Sequence, residues 1–367
     1  MSSTLPIELS VYVMEQSYYM PDGHIDQGTL AACSLVCSSW VKPAQRLLFH
    51  SITGSLRAVR FVDASINPCT QRGKILGSYI RRLEVNVGTR GGLGPSLDEH
   101  QFALLLSWCP MLYELTLRVF GLHEFNESVL TELDVVANTV NLRALRLLRF
   151  GVQSPIIYQL IALWPRIQFL TIGAEIDALP PTQMPVIRLH ELLLFRSLIP
   201  SEFLDWLLSN SESSLQILGL HDVPGQQIKS VLAKHIGPRI RSLRMLRFNR
   251  DSAYIMRLCT HLEELVLHHI PIVVELKDLP RTIEHLSIRS AVLHAPIIPL
   301  IGTLPNLRVV TFDENMHRHA HFPALQSACD ANGVALWKHV LSFRIVSPPF
   351  NPCTLNLTMI NYSTKIQ

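Results

Sequence analysis

The stretch LYELTL (112–117) sets an aliphatic residue, two free positions, an aliphatic, one free position and an aliphatic. The same order stands in IRRLEV (80–85) and returns in LRALRL (142–147), IQFLTI (167–172) and LHELLL (189–194). It continues in LQILGL (215–220), IRSLRM (240–245), LEELVL (262–267), IEHLSI (283–288) and LRVVTF (307–312). Successive units begin 32, 30, 25, 22, 26, 25, 22, 21 and 24 residues apart. In the last three residues of each unit the apolar side chains alternate, which is the period of a strand.

Helical segments are expected between the units, several behind a residue suited to cap a helix. Ser96 precedes LDEHQFALLL, Ser154 and Pro155 precede IIYQLIALW, Ser201 precedes EFLDWLL, and Asp251 precedes SAYIMRLC. Short polar side chains there take up free amides of the first turn, and proline suits a first helical position. One strand and one helix cannot bury an apolar face alone; stacked units share a continuous core. The fold class expected is therefore α/β, as an array of about ten strand–helix units over residues 80–345. A doubly wound α/β domain is the alternative, but its strands have no reason to repeat one motif ten times.

Composition agrees with an array. A chain of 367 residues is long for one compact domain. With 48% hydrophobic and 17% charged residues it has ample material for a core. A net charge of +3 supplies no global field toward nucleic acid, so a nucleic-acid partner is not expected. The N-terminal residues lack a basic, apolar leader pattern, and no apolar run is long enough to span a membrane. The seven cysteines are odd in number and scattered, which reads as reduced thiols of a cytoplasmic or nuclear protein. The sequons at Asn126, Asn356 and Asn361 would then go unused.

Ahead of the array, LPIELSVYVMEQ (5–16) places Leu5, Leu9 and Tyr12 or Val13 at helical spacing, with Pro6 in the first turn. In ACSLVCSSWV (32–41), Leu30, Cys33, Cys37 and Trp40 recur at intervals of 3, 4 and 3, one face of a second helix. A zinc site would need four ligands, and His24 and His50 are the only further candidates nearby. Cysteines four apart on a helix are badly placed for a disulfide. Cys33 and Cys37 read as packing residues, and no cofactor or metal is expected.

Two resemblances follow from these motifs. The ten units resemble a leucine-rich repeat solenoid. The asparagine or cysteine usual after each strand is mostly replaced, by Phe120, Phe150, Val223, Phe248 and Ile270, with Asn315 the exception. The helical N-terminal part, LPIELSVYVMEQ with TLAACSLVCSSWVKPAQRLLF, resembles an F-box, most specifically in SLVCSSW (34–40). The pairing of the two is common in F-box proteins, including fungal ones. The domains expected are an F-box-like unit at 1–52, a connection and cap at 53–79, a curved solenoid at 80–345 and an irregular tail at 346–367.

The resemblance implies recruitment rather than catalysis: a substrate receptor of a ubiquitin ligase in which the F-box docks on a Skp-type adaptor bound to a cullin. By motif position Leu5, Pro6, Ile7 and Leu9, with Leu30, Leu35, Val36 and Trp40, would meet the adaptor. The alternative is a repeat scaffold whose F-box is degenerate. In such a solenoid the free positions of each unit line the concave face. That gives Arg118, Arg146, Phe169, Phe195, His221, Arg244, His268 and Arg289 as substrate-binding candidates among Glu84, Glu114, Glu191, Glu264, Asp313 and His285. LRALRLLRF (142–150) and IRSLRMLRF (240–248) set arginines in one register, Arg143, Arg146 and Arg149 against Arg241, Arg244 and Arg247. Guanidinium forks bind phosphate and carboxylate in two-pronged fashion. Arg146 and Arg244, about 20 Å apart at one strand spacing per repeat, are therefore expected to take an acidic or phosphorylated protein segment.

Two further motifs carry no expectation of chemistry. VNVGTRGGLGPSLDEH (85–100) lacks the third glycine of a dinucleotide loop, since Leu97 stands there. HRHAH (317–321) reads as a solvated loop.

Overall fold

The structure, a computed structural model, describes residues 6–18, 25–52, 65–88, 96–196, 199–247, 250–269, 279–289 and 297–339. Leu5, part of the connection (53–64), the glycine-rich loop (89–95) and the tail (346–367) lie outside the described residues.

Each of the ten sequence units supplies one strand. These are β2 (Arg82–Gly88), β3 (Glu114–Phe120), β4 (Ala144–Arg149), β5 (Phe169–Ile172), β6 (Glu191–Leu194), β7 (Ile217–Leu220), β8 (Ser242–Arg247), β9 (Glu264–His269), β10 (His285–Ile288) and β11 (Val309–Asp313). Two more flank them, β1 (Ser51–Ile52) and β12 (Ala335–His339). All twelve pair in parallel, and their order across the sheet is their order in the chain. The fold is α/β on a twelve-stranded parallel sheet.

Twelve α-helices lie among the described residues: α1 (Ile7–Gln16), α2 (Gln27–Cys33), α3 (Ser38–Leu48), α4 (Gln71–Gly77), α5 (Glu99–Ser107) and α6 (Glu127–Ala137). The others are α7 (Ile156–Leu163), α8 (Ser201–Leu208), α9 (Gln226–Val231), α10 (Arg250–Leu258), α11 (Ile297–Ile301) and α12 (Phe322–Ala331). None is long and apolar enough to cross a membrane.

The register explains why the motif repeats. The second residue of each strand falls in one row: Leu83, Leu115, Leu145, Leu170, Leu192, Leu218, Leu243, Leu265, Leu286 and Val310. These side chains are buried, as are those two places on from Val85 to Phe312. They join Phe102, Leu133, Leu160, Phe203 and Ile255 of the helices in one continuous core. The odd positions of each strand face the other way, onto a second face that carries no helix among the described residues.

Some local expectations need correction. Asp98, not Ser96, caps α5, accepting the Gln101 amide at 2.7 Å while Gln101 reaches back to the Asp98 amide. Ser201 lies inside α8 behind Pro200, and Asp251 lies inside α10. No helix joins β5 to β6. There, Pro180, Pro181 and Pro185 accompany an irregular path fastened by side-chain bonds to main-chain carbonyls: Tyr158 to Ala178, Trp206 to Gln183 and Asn210 to Pro185.

The single helix expected from Leu30 to Trp40 is two. The Ser34 hydroxyl donates to the Ala31 carbonyl at 2.6 Å, offering the backbone a local alternative to continuing the helix. Cys37 is extended and begins α3. Cys33 packs partly against Met14, Tyr18, Leu30, Ala44 and Leu47, which form a small core of their own. Cys37 is exposed and lies outside the small core, so its reading as a packing residue is corrected.

Candidate functional site

Two surfaces are built from chemistry the cores do not use. The first is on the N-terminal helices. Ser10 and Met14 turn α1 inward, while Leu9, Tyr12 and Val13 share the outer side, each at least half exposed. Ile7 is exposed at the first turn, on the side of Ser10 rather than of these three, and Pro6 precedes the helix. The break between α2 and α3 pushes Leu35 and Val36 outward, to 86% and 61% exposure. Leu30 and Trp40 behave differently from the expectation: Leu30 is wholly buried and Trp40 is half-buried against the same small core. Both hold the helices together, because a unit of so few residues needs every inward apolar side chain it has.

The second surface is the helix-free face of the sheet. The sequence-expected residues lie on it in register, but their arginines are already engaged. Arg118 pairs with Glu84, and Arg146 lies 3.6 Å from Glu114, which also meets Arg82 at 3.2 Å. Arg244 reaches past β7 to Glu191 at 3.4 Å and to Glu264 at 4.0 Å. Gly219 of β7 stands in register beside Arg244, and a Cβ there would meet the Leu193 side chain. Arg146 and Arg244 are therefore not a pair of open forks awaiting phosphate. Each is paired with carboxylates of its own sheet, so an acidic ligand there would have to exchange with Glu114, Glu191 or Glu264.

Burial pushes the Glu191 carboxyl up, against the pull of Arg244. At Glu264 burial also pushes upward, but the His285 hydrogen bond and charge, Arg244 and Ser242 outweigh it and bring the group to about 2. His285 links Glu264 Oε1 at 2.9 Å to Thr311 Oγ1 at 3.0 Å. Carboxylate, imidazole and hydroxyl thus stand in the order of an acyl-transfer triad. Both His285 and Thr311 are buried within their strands, and the chain of bonds links β9, β10 and β11.

Further along the strands, Phe195 stacks on His221 with ring centres 3.8 Å apart, and His268 lies 6.2 Å from His221. Phe169 sits among Tyr113 and His190. Arg289 follows β10, its amide bonded to Leu267. Arg149 lies over the Phe120 ring at 4.9 Å, a consequence of the register shift after Leu117. Sequence reasoning missed these ring and ion pairs, since only register sets them. Among the described residues no three His, Cys, Asp or Glu side chains cluster as metal ligands. Compared with models of known protein families and with curated proteins, the chain matches none.

Proposed function

We propose that the chain is the non-catalytic substrate receptor of a Skp–cullin–F-box type ubiquitin ligase, an F-box followed by a leucine-rich repeat solenoid. The observation that carries the reading is the apolar outer side of α1, Leu9, Tyr12 and Val13, joined by Leu35 and Val36 from the α2–α3 turn. Large apolar side chains held at the surface of an ordered helical unit mark a surface that a partner covers. Leu9, Leu35 and Val36 are among the residues the F-box motif assigns to the adaptor, Tyr12 and Val13 extend the same surface, and the assigned Leu30 and Trp40 serve the core. The substrate is proposed to lie on the helix-free face, against Phe195, His221 and His268. It is a protein segment of mixed charge that exchanges partners with the Arg118, Arg146 and Arg244 pairs. Aromatic rings among arginines suit protein recognition.

The test is capture of a Skp-type adaptor by the purified chain, beside Leu9→Asp with Leu35→Asp. Both positions are exposed, so the variant is expected to fold and to lose capture. A folded wild type that captures no adaptor would leave a repeat scaffold with a degenerate F-box.

A further inference from the structure

A second cluster lies where the helical unit meets the sheet, and neither the adaptor surface nor the open face uses it. The His50 carbonyl accepts the Arg81 amide, the Arg81 carbonyl accepts that of Tyr113, and the Tyr113 carbonyl accepts that of Arg143, at 2.8–3.0 Å. His50, Arg81, Tyr113 and Arg143 therefore stand side by side at the edge of the sheet, one strand spacing apart. Arg46 joins them from the last turn of α3, one helical turn before His50.

Among the described residues this group lacks counter-charge. Among the described residues neither Arg46, Arg81 nor Arg143 has a carboxylate partner. Arg81 donates only to main-chain carbonyls, Ser78 at 2.8 Å and Met111 at 3.2 Å. Glu114, the nearby acid, is taken by Arg82 and Arg146. His50 is 9% exposed, and its Nδ1 is buried with no hydrogen-bond partner. Burial, then Arg82, Arg81 and Arg46, hold the ring down to about 4, so at neutral pH it is an uncharged donor or acceptor.

We propose that this edge is a binding site for a small phosphate-class oxyanion, held by the guanidiniums of Arg46, Arg81 and Arg143 with His50 as a neutral partner. Guanidinium forks match phosphate oxygens two at a time, and uncompensated cations gathered at one edge favour a multiply charged anion over a single carboxylate. A ligand there would tie the helical unit to the first strands. The proposal uses no residue of α1 and stands apart from the ligase reading.

The probe is pyrophosphate, with sodium chloride at matched ionic strength as its reference. Thermal unfolding of the full chain is expected to shift upward with pyrophosphate and to saturate, and the His50 ring proton resonances to move on titration. Arg46→Gln with Arg143→Gln should weaken the response at least tenfold, while Arg257→Gln, on exposed α10, should leave it unchanged. Pyrophosphate no more effective than chloride would overturn the proposal. So would an undiminished response in the double variant, or a phosphoserine peptide binding where pyrophosphate does not.

Discussion

Gly77 ends α4 so close to the neighbouring chain that a Cβ would run into the Trp108 carbonyl oxygen. Backbone cannot give way as a side-chain tip can, so Gly77→Ala is expected to cost about 1–3 kcal/mol by urea unfolding. His50 makes a second statement at this scale. Its folded value of about 4 lies below the ordinary histidine value near 6.5, so the unfolded chain takes up the proton first. Stability is therefore complete above about pH 6.5 and is lost as pH falls toward 4. The loss between pH 7 and 5 is about 2 kcal/mol. Urea unfolding of His50→Gln at the two pH values should show that much less dependence than the wild type.

The elements show where local chemistry outweighs pattern. Helix α5 begins at a reciprocal cap, Asp98 with Gln101, so Asp98→Ala should lower stability by about 1 kcal/mol in chemical denaturation. Glu99, in the first turn of the same helix, adds favourable charge at that end. The break between α2 and α3 was not legible from the spacing of Leu30, Cys33, Cys37 and Trp40, which fits a helix perfectly well. A hydroxyl bond from Ser34 and an extended Cys37 decide it, and the break is what exposes Leu35 and Val36. The stretch between β5 and β6 shows the same limit, since side chains from two neighbouring units fasten it in place of a helix.

At the scale of the whole molecule the buried residues form two cores, a long one along the sheet and a small one within α1–α3. Among the described residues packed beside them, Leu48 alone borders both. Leu30→Ala, at the centre of the small core, should cost 2–5 kcal/mol of local stability, of the order seen for buried leucines. Hydrogen exchange is expected to quicken in α1–α3 and to stay unchanged in β3 to β11. Equal quickening throughout would mean that the two cores melt as one unit.

The positions of ten strands, and which side chains of each turn inward, were determined by the sequence alone. Alternation within a strand is local, and a leucine at every second residue leaves one inward side. The apolar surplus at Leu9, Leu35 and Val36 was legible for the same reason: more large apolar side chains than so short a unit can bury. Tertiary structure decided which charges meet. Arg244 and Glu191 are 53 residues apart in the chain and pair across β7, where Gly219 stands in register beside Arg244. The gathering of Arg46, His50, Arg81 and Arg143 at one edge was equally invisible in the sequence. Register brings them side by side, and register is a property of neighbouring strands rather than of any one stretch of chain.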